Sequence, residues 1–406
     1  MDTTSSKPIR VVSGMRPTGK LHLGHYHGVL KNWVDMQLNY ECFFFVADWH
    51  ALTTHYADTS NIADSVEDML IDWLAAGISP SSATLFVQSM VPEHAELHLL
   101  LSMITPLGWL ERVPTYKDQQ EKLKERDLAT YGFLGYPLLQ SADILLYKAD
   151  AVPVGEDQVA HVELTREVAR RFNHIYGREP DFEARAEQAA KKMGKKNAKM
   201  YHNYRRRYQE EGDAEALAIA KAMLEAQQNI SLGDKERLFG YLEGSGVIIL
   251  PEPQAKLTKA SKMPGLDGRK MSKSYENTIS LTEDAESVER KIRTMTTDTK
   301  RARRTDPGEP DDCPVWQLHQ VYSSDEVKTW ASEGCRSAGI GCIDCKQPVI
   351  DAVQAELEPI RQRAADYKND RQELRNILKD GSEAAREVAR ETLDDVVEAM
   401  RFAYES

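Results

Sequence analysis

The chain has 406 residues, of which 41% are hydrophobic and 29% charged, the balance of an ordinary soluble globular protein. That length predicts two or more structural units around a full-sized core. The formal net charge of −12 argues against a protein that coats nucleic acid indiscriminately, so we expect no DNA partner and RNA contacts only through local basic patches.

Three sequence features bear on location and redox state. The sequence has no apolar run long enough to span a bilayer, so we expect no membrane partner. Residues 1–6 have no basic region followed by an apolar stretch, which favours the cytoplasm. Five cysteines do not pair evenly, and in a reducing compartment we expect thiols or metal ligands instead of disulfides.

The first predicted elements alternate between strand and helix. Residues 10–14 predict a short buried strand that enters a Gly/Pro turn at 15–19, and a helical pattern covers 24–38. The apolar, aromatic run at 42–47 is too short for a typical helix, so it predicts a second buried strand.

The alternation continues through the next fifty residues. Apolar residues between 62 and 74 fall on one helical face, and Gly77 and Pro80 stop that helix before a third strand at 83–88. Strands that alternate with helices at this spacing imply parallel pairing. The predicted fold class is therefore α/β, with a Rossmann-type doubly wound parallel sheet.

Composition divides the rest of the chain. Residues 178–246 are rich in Ala, Lys, Glu and Gln and predict a helical insertion between two parts of the α/β domain, 1–177 and 247–282. A mostly helical domain is expected at 283–381. A C-terminal helix at 382–406 is expected to pack back on the α/β body.

Local patterns mark positions on the predicted helices. Gly381 is expected to end one helix, and Ser382 is a suitable N-cap for the last one. Residues 191–207 carry eight Lys or Arg and no carboxylate, and residues 290–304 carry seven, opposed only by Asp298. Each basic stretch is either a solvated helix face or a contact for RNA.

The first motif with chemical meaning occupies residues 17–25, where the first strand turns into a helix. At such a junction, free backbone N–H groups and the helix dipole form an anion site. His22 and His25 can both donate hydrogen bonds to phosphate oxygens, and Gly24 between them lets a nucleotide approach the backbone. Taken alone, paired histidines are more often surface or core residues.

The second motif is Lys270-Met271-Ser272-Lys273-Ser274, in a loop after Gly268. Two mobile ammonium groups suit a reaction that builds negative charge on a leaving pyrophosphate, because they stabilise mainly the transition state. A lone lysine–serine cluster is usually a solvated loop. Together and in this order on an α/β chain, the two motifs resemble the HIGH and KMSKS motifs of class I aminoacyl-tRNA synthetases.

The sequence between and around these motifs resembles the tryptophanyl-tRNA synthetase family. The resemblance covers most of residues 10–177 and 247–400, and the stretches that carry it are 13–19, 47–51, 108–112, 141–150, 152–158 and 161–166. It implies a catalytic Rossmann-type domain, a helical anticodon-binding domain and a homodimer. It also implies that the protein activates L-tryptophan with ATP and Mg²⁺ and transfers it to tRNA(Trp).

The same resemblance implies roles for individual residues. Asp143 is expected to accept the indole N–H of tryptophan, which only donates; the alternative is a helix carboxylate that faces solvent. Gln158 is expected to hold the polar end of the substrate. The other residues expected around tryptophan are Val12, Gln140, Val152 and Val154.

Further positions match those that bind ATP in the family. The expected ATP-binding residues are Arg16, Pro17, Thr18, Gly24, His25, Gly155, Glu156, Asp157, Lys262, Met263, Lys270, Met271, Ser272, Lys273 and Ser274. The expected catalytic residues are His22, His25, Lys117, Lys270 and Lys273. The chain departs from some members at Gln140, where they carry methionine, and at 178–246, which has no counterpart in compact members.

Four of the five cysteines have the spacing C-x21-C-x6-C-x2-C: Cys313, Cys335, Cys342 and Cys345. This pattern predicts a tetrathiolate site. Its flanks resemble a subset of bacterial tryptophanyl-tRNA synthetases with a [4Fe–4S] cluster. Zinc and free thiols are the alternatives, because thiolate ligation alone does not separate iron–sulfur from zinc. Cys42 is expected to be a small core residue.

Other functions fit part of the pattern. A tyrosyl-tRNA synthetase would lack the pattern at 141–166, and a nucleotidyltransferase of the same superfamily would lack the helical C-terminal half. A synthetase-like paralogue that binds tryptophan or RNA without charging would not need the histidines and lysines of both motifs, which are intact. We therefore expect a tryptophan–tRNA ligase.

Overall fold

The computed structural model describes residues 8–114, 130–177, 181–244, 247–257 and 263–401. Within these residues, five parallel strands form one sheet in the order β3-β2-β1-β4-β5. The strands are β1 (Arg10–Met15), β2 (Glu41–Val46), β3 (Ala83–Val87), β4 (Ala151–Val154) and β5 (Gln254–Leu257). The predicted α/β class with a parallel sheet is confirmed, and the first three strands begin and end within one residue of their predicted bounds.

The two faces of the sheet pack against different hydrophobic clusters. In β1, Val11 belongs to one cluster with Trp33 and Trp73, whereas Val12 belongs to the other with Phe172. Successive strand residues point to opposite faces, so helices cover the sheet on both sides. This is the doubly wound arrangement that the alternation of elements predicts.

The helices of the first 177 residues include the predicted ones. They run Leu23–His25, Lys31–Met36, Asp48–His55, Ile62–Ala76, Glu93–Ser102, Leu107–Glu111, Tyr131–Leu145 and Val159–Tyr176. A π-helical turn, Tyr26–Leu30, joins the first two into the helix predicted for 24–38. Gly77 ends Ile62–Ala76 as predicted, with a left-handed φ of 110° that favours glycine.

Residues 181–244 are helical and have a hydrophobic cluster of their own, which includes Tyr201 and Leu238. The helices are Phe182–Lys192, Lys195–Glu211, Ala214–Glu225 and Leu232–Glu243. The chain leaves and re-enters the α/β body at one point, because the backbone N–H of Val247 donates to the carbonyl of Gly177 at 2.6 Å. The domain boundaries themselves stay predictions.

The C-terminal part is built from helices Ala285–Thr294, Pro314–Tyr322, Asp325–Arg336, Cys342–Asn369 and Arg371–Met400. The predicted helix end at Gly381 and N-cap at Ser382 are wrong, because both residues lie inside the last helix. Gly381 allows the helix to pack closely against β3, because a Cβ atom at this position would lie 1.9 Å from the carbonyl oxygen of Leu85. No helix in the described ranges is long and apolar enough to cross a membrane.

The last helix crosses the edge of the sheet at Gly381. Before this glycine, Leu374 and Ile377 belong to the hydrophobic cluster of one face; after it, Ala385 and Ala389 belong to the cluster of the other. The helix is further held by Arg386 and Arg390, which both contact Glu93 at 3.0–3.1 Å. The prediction that this helix packs on the α/β body is confirmed.

Candidate active site

The two histidines of the first motif lie at the carboxyl end of β1, where the chain turns into helix Leu23–His25. Nδ1 of His22 accepts a hydrogen bond from the backbone N–H of Gly24 at 3.1 Å. Nδ1 of His25 accepts one from the backbone N–H of His22 at 3.3 Å. A neutral imidazole that accepts at Nδ1 carries its hydrogen on Nε2. Both rings therefore have an Nε2–H available to donate.

The electrostatic environment keeps both imidazoles neutral. Burial, followed by the charges of Lys273 and Lys270, lowers the pKa of His22 to about 4. Burial, followed by His22 and the same lysines, lowers the pKa of His25 to about 3. At neutral pH the site therefore offers two neutral N–H donors beside two ammonium groups. That combination suits the oxygens of a phosphate chain.

The structure brings the second motif against the first. Nζ of Lys273 donates to the carbonyl oxygen of Thr18 at 2.7 Å. Backbone hydrogen bonds of 3.0 Å also join Leu23 to Ile279 and Leu281 to Leu21, five and seven residues after the end of the second motif. Two segments that are far apart in the sequence thus form one wall of the same site.

Asn277 organises the second motif, and nothing in the local sequence indicates this role. Its Oδ1 accepts from the backbone N–H of Ser272 at 2.8 Å, and its Nδ2 donates to the carbonyl of Lys270 at 3.2 Å and to Asp267 at 2.6 Å. Gly265 leaves room for this amide, because a Cβ there would lie 2.2 Å from Nδ2. One amide side chain supplies both the donor and the acceptor that hold the loop.

The remaining residues predicted around the phosphates have different environments. The backbone N–H of Met271 donates to the carbonyl of Met263 at 3.0 Å, and both side chains are buried. Ser274 is exposed. Lys117 and Lys262 lie outside the described residues.

A cleft of about 570 Å³ opens beside Pro17 and Thr18. Its far side is formed by Thr54 and Tyr56, at the end of helix Asp48–His55. Arg16 reaches across to this helix, since its Nη2 donates to Oγ1 of Thr54 at 3.0 Å. The cleft is in the size range of small-molecule sites.

Gly155, Glu156, Asp157 and Gln158 form the turn after β4, where the backbone N–H of Gln158 donates to the carbonyl of Gly155 at 3.0 Å. β4 is the parallel neighbour of β1. The carboxyl ends of parallel strands meet at the same edge of a sheet, so this turn lies at the edge that carries the first motif.

Asp143 lies inside helix Tyr131–Leu145 and is only 1% exposed, which excludes a carboxylate that faces solvent. His50 donates to Oδ2 at 2.7 Å, while His94 and Gln88 donate to Oδ1 at 2.6 and 2.7 Å. Burial raises the pKa of Asp143, but His50 and His94 outweigh it and hold the pKa well below its usual range. The carboxylate is therefore charged, although it is buried.

The partners of Asp143 were not predicted from the sequence. His50 lies in one of the stretches that resemble the family, and nothing in the sequence around Gln88 or His94 indicates a site. They are separated from Asp143 by 49 to 93 residues, so no local spacing indicates the contact. Of the apolar residues predicted around tryptophan, Val12, Val152 and Val154 belong to the hydrophobic cluster that contains Ala142 and Ile144, on either side of Asp143; Gln140 is half-buried.

His27 ties the motif helix to the helical C-terminal part. Its Nε2 lies 2.8 Å from Oε2 of Glu356 and 3.1 Å from the hydroxyl of Tyr322. Lys31 donates to the other oxygen of Glu356 at 2.8 Å. Burial raises the pKa of Glu356, but the hydrogen bonds from His27 and Lys31 outweigh it and lower the pKa to about 2.

The four C-terminal cysteines lie near one another, and all are free thiols. Cys313 immediately precedes one helix, Cys335 lies in the last turn of the next, and Cys342 and Cys345 lie in the first turn of the third. Burial, followed by the thiols of the other three, raises the pKa of Cys345 to about 12. In the described part of the chain, no group of three or more His, Cys, Asp or Glu is arranged to hold a metal ion. Cys42 is buried in β2, as expected of a core residue.

Known proteins share this arrangement of sequence and fold. A family model described as class I tRNA synthetases (W and Y) matches residues 4–201 and 227–358. The tryptophan–tRNA ligase of Ralstonia nicotianae is 66% identical over 98% of this chain and 99% of its own length. That of Thermotoga maritima is 42% identical over 98% of this chain and 100% of its own.

A solved structure gives the same result. The tryptophanyl-tRNA synthetase from Campylobacter jejuni, in a crystal structure complexed with ADP and tryptophan, matches with a TM-score of 0.72 at 26% identity. The match covers 97% of this chain and 100% of that one. The sheet, the two converging motifs and the similarity over nearly the whole length agree, and the chain belongs to the tryptophanyl-tRNA synthetase family of class I aminoacyl-tRNA synthetases.

Proposed function

We propose that this protein activates L-tryptophan with ATP and transfers it to tRNA(Trp). The observation that carries the proposal is the meeting of the two motifs, in which Lys273 contacts Thr18 beside the neutral pair His22 and His25. The carboxylate oxygen of tryptophan attacks the α-phosphorus of ATP in line. The new O–P bond forms as the bond to the β-phosphate breaks, and pyrophosphate leaves.

Charge stabilisation accounts for the roles of the motif residues. We assign Lys270 and Lys273 to the negative charge that grows on pyrophosphate, and the Nε2–H groups of His22 and His25 to phosphate oxygens. Mg²⁺ that enters with ATP adds positive charge to the phosphates. No protein nucleophile is needed. In the second step a hydroxyl of the terminal ribose of tRNA attacks the adenylate carbonyl carbon, the ester forms and AMP leaves.

The cleft beside Pro17 and Thr18 supports an ATP site there. We propose that ATP extends from this cleft towards Arg16, Met263 and the turn of residues 155–157, which lie outside the lining of the cleft itself. The cleft size and the position of the turn at the same sheet edge support this assignment. Lys117 and Lys262 remain predictions from the family resemblance.

We propose that the carboxylate of Asp143 accepts a hydrogen bond from the indole N–H of tryptophan. A carboxylate has about four acceptor positions, and His50, His94 and Gln88 use three of them, which leaves one for the substrate. The fixed negative charge makes this a strong acceptor. Its apolar surroundings suit the rest of the indole ring, with Val12, Gln140, Val152, Val154 and Gln158 as the proposed neighbours of tryptophan.

We further propose that Cys313, Cys335, Cys342 and Cys345 hold a [4Fe–4S] cluster, with zinc as the alternative. The proximity of the four thiols supports a shared site, and Arg301, 3.9 Å from the sulfur of Cys342, offers charge to an anionic group. A cluster or a zinc ion bound here would be held by the four thiolates.

We also propose a cytoplasmic homodimer. The free thiols suit a reducing compartment. Four apolar side chains on neighbouring helices are between 56% and 70% exposed and would be covered in a dimer: Leu99, Met103, Leu107 and Tyr131. Sedimentation of the wild type and of a Leu99→Lys/Met103→Lys variant tests this, because a dimer that uses this surface would dissociate in the variant.

Pyrophosphate exchange with each of the twenty amino acids tests the proposed reaction. We expect exchange with tryptophan alone, followed by charging of tRNA(Trp). Exchange with tyrosine instead of tryptophan would show that tyrosine is the substrate. Tryptophan binding without any exchange would instead indicate a non-charging paralogue.

A further inference from the structure

The helical insertion presents a basic face that the reaction above does not use. On helix Lys195–Glu211, Lys195, Lys199 and Arg206 are exposed and follow one another at helical spacing, with the exposed amide of Asn203 between the last two. They lie along one side of the helix over about 16 Å. We call Lys195, Lys199 and Arg206 the basic face.

The opposite side of this helix is anchored, so the basic face has a fixed direction. The hydroxyl of Tyr201 is buried and donates to the carbonyl of Leu238 at 2.6 Å. The guanidinium of Arg205 lies 3.7 Å from the ring centre of Tyr241, and its Nε donates to the carbonyl of the same residue at 2.7 Å. These contacts prevent the helix from turning the basic face inward.

The charges of the basic face are not neutralised locally. Among the described residues, no carboxylate lies within ion-pair distance of Lys195 or Lys199, and Arg206 contacts only the amide of Asn203, at 3.4 Å. Lys192 and Arg207, near the two ends of the basic face, are paired with Asp234 and Asp213. On a chain with a net charge of −12, a row of unpaired cations is a local site for a polyanion.

We propose that the basic face binds the phosphate backbone of tRNA. This inference rests on the proposed function, in which tRNA is a substrate. Residues 202–226 fall outside the match to the family model, so the second half of the helix is not part of the pattern that the model describes. A cation at nearly every turn, on a rigid helix, suits successive phosphates and carries no base specificity.

The position of the insertion separates tRNA binding from tryptophan activation. Helix Val159–Tyr176 begins after the turn that follows β4, and its 18 residues carry the chain about 27 Å away, to Gly177, where the insertion starts. Loss of the basic face should therefore weaken tRNA binding and leave adenylate formation unchanged.

The test compares two triple variants of the full chain. The first, Lys195→Ala/Lys199→Ala/Arg206→Ala, removes the basic face; alanine preserves the helix. The matched control, Arg371→Ala/Arg375→Ala/Lys379→Ala, removes the same charge from exposed positions on another helix. Fluorescence anisotropy measures the affinity for labelled tRNA(Trp) at several salt concentrations, and pyrophosphate exchange measures activation.

For the first variant we expect tRNA affinity at least about tenfold lower at 0.1 M salt, and a slope of log K against log salt reduced by about 2 to 3. Charge-conserving Lys195→Arg/Lys199→Arg/Arg206→Lys should keep the wild-type slope. A first variant with the slope of the wild type, or a control with the same loss, would overturn the inference. A different result would contradict the proposed function: the wild-type protein would show no tryptophan-dependent pyrophosphate exchange.

Discussion

The backbone N–H of Leu21 donates a 2.7 Å hydrogen bond to Oδ2 of Asp72, so a buried carboxylate on helix Ile62–Ala76 holds the residue before His22. Burial raises the pKa of Asp72 from its usual 3.8 to about 7. When the pKa of a carboxyl group is higher in the folded than in the unfolded chain, the group contributes its full stabilisation at pH values below its pKa in the unfolded chain. That contribution is lost as pH rises through the folded pKa.

Asp72→Asn should therefore flatten the dependence of stability on pH. Asparagine keeps an oxygen for Leu21 but does not ionise, so its free energy of unfolding should fall less than that of the wild type between pH 4 and 8. Urea denaturation at several pH values measures this. Asp72→Ala is the control and should cost about 1–3 kcal/mol at pH 4, because it leaves a buried N–H unpaired. Parallel profiles for wild type and Asp72→Asn would contradict the raised pKa.

Gly381→Ala should destabilise the protein although alanine favours helices. The new Cβ would meet the carbonyl of Leu85 at 1.9 Å, so the last helix must move away from β3, at a cost of about 1–3 kcal/mol or more. Gly233→Ala is the control, since no atom outside its own helix lies within 4 Å, and it should stabilise the protein by no more than about 0.5–1 kcal/mol because Gly233 lies in the first turn of its helix. Equal effects of the two substitutions in urea denaturation would show that Gly381 does not pack against β3 in solution.

The contacts of Asp143 determine which variant can test its role. Asp143→Ala would leave His50, His94 and Gln88 without their acceptor, and breaking such a buried group costs about 3–5 kcal/mol of stability. Asp143→Asn keeps the shape and removes the charge. We expect it to lower kcat/KM for tryptophan about 10- to 100-fold in pyrophosphate exchange, as for loss of a charged hydrogen bond, with little change in KM for ATP. A wild-type kcat/KM for tryptophan in Asp143→Asn would show that Asp143 does not bind the indole N–H.

Lys270→Ala and Lys273→Ala should mainly lower kcat for adenylate formation. Their contacts strengthen as charge develops on pyrophosphate, so the KM for ATP should change little. Arg269→Ala is a suitable control, because this neighbouring cation is exposed and paired with Asp267. Steady-state pyrophosphate exchange separates the two constants. A higher KM for ATP with unchanged kcat would instead assign the lysines to ground-state binding.

Protein purified without oxygen should be brown and contain about four iron and four sulfide per chain. Cys342→Ser should release iron and loosen the C-terminal helices, whereas Cys42→Ala should retain it because Cys42 lies in β2. Tryptophan activation should suffer less than tRNA charging. Colourless protein with one zinc per chain would contradict the cluster but would still support a metal site at these cysteines. Absence of both metals, with normal charging by Cys342→Ser, would exclude a metal site.

The sequence predicted elements whose signals are local. The strands around the first motif are short apolar runs between turn residues, and the two motifs are contiguous segments. Gly381 shows the limit, because a glycine that ends a helix and one that allows close packing look the same without the contact to Leu85. The hydrogen bonds of Asp143, and those by which Asn277 holds the second motif, likewise cannot be predicted from local sequence, because they form only in the folded chain.

The crossing of the last helix past β3 has a consequence for how the chain is made. β3 is an edge strand, and an uncovered edge is a template for pairing with another molecule. A ribosome releases the sheet strands long before residues 371–400, so the nascent protein carries an open edge through most of its synthesis. Protection against aggregation therefore arrives last, and a product truncated before Arg371 would never receive it.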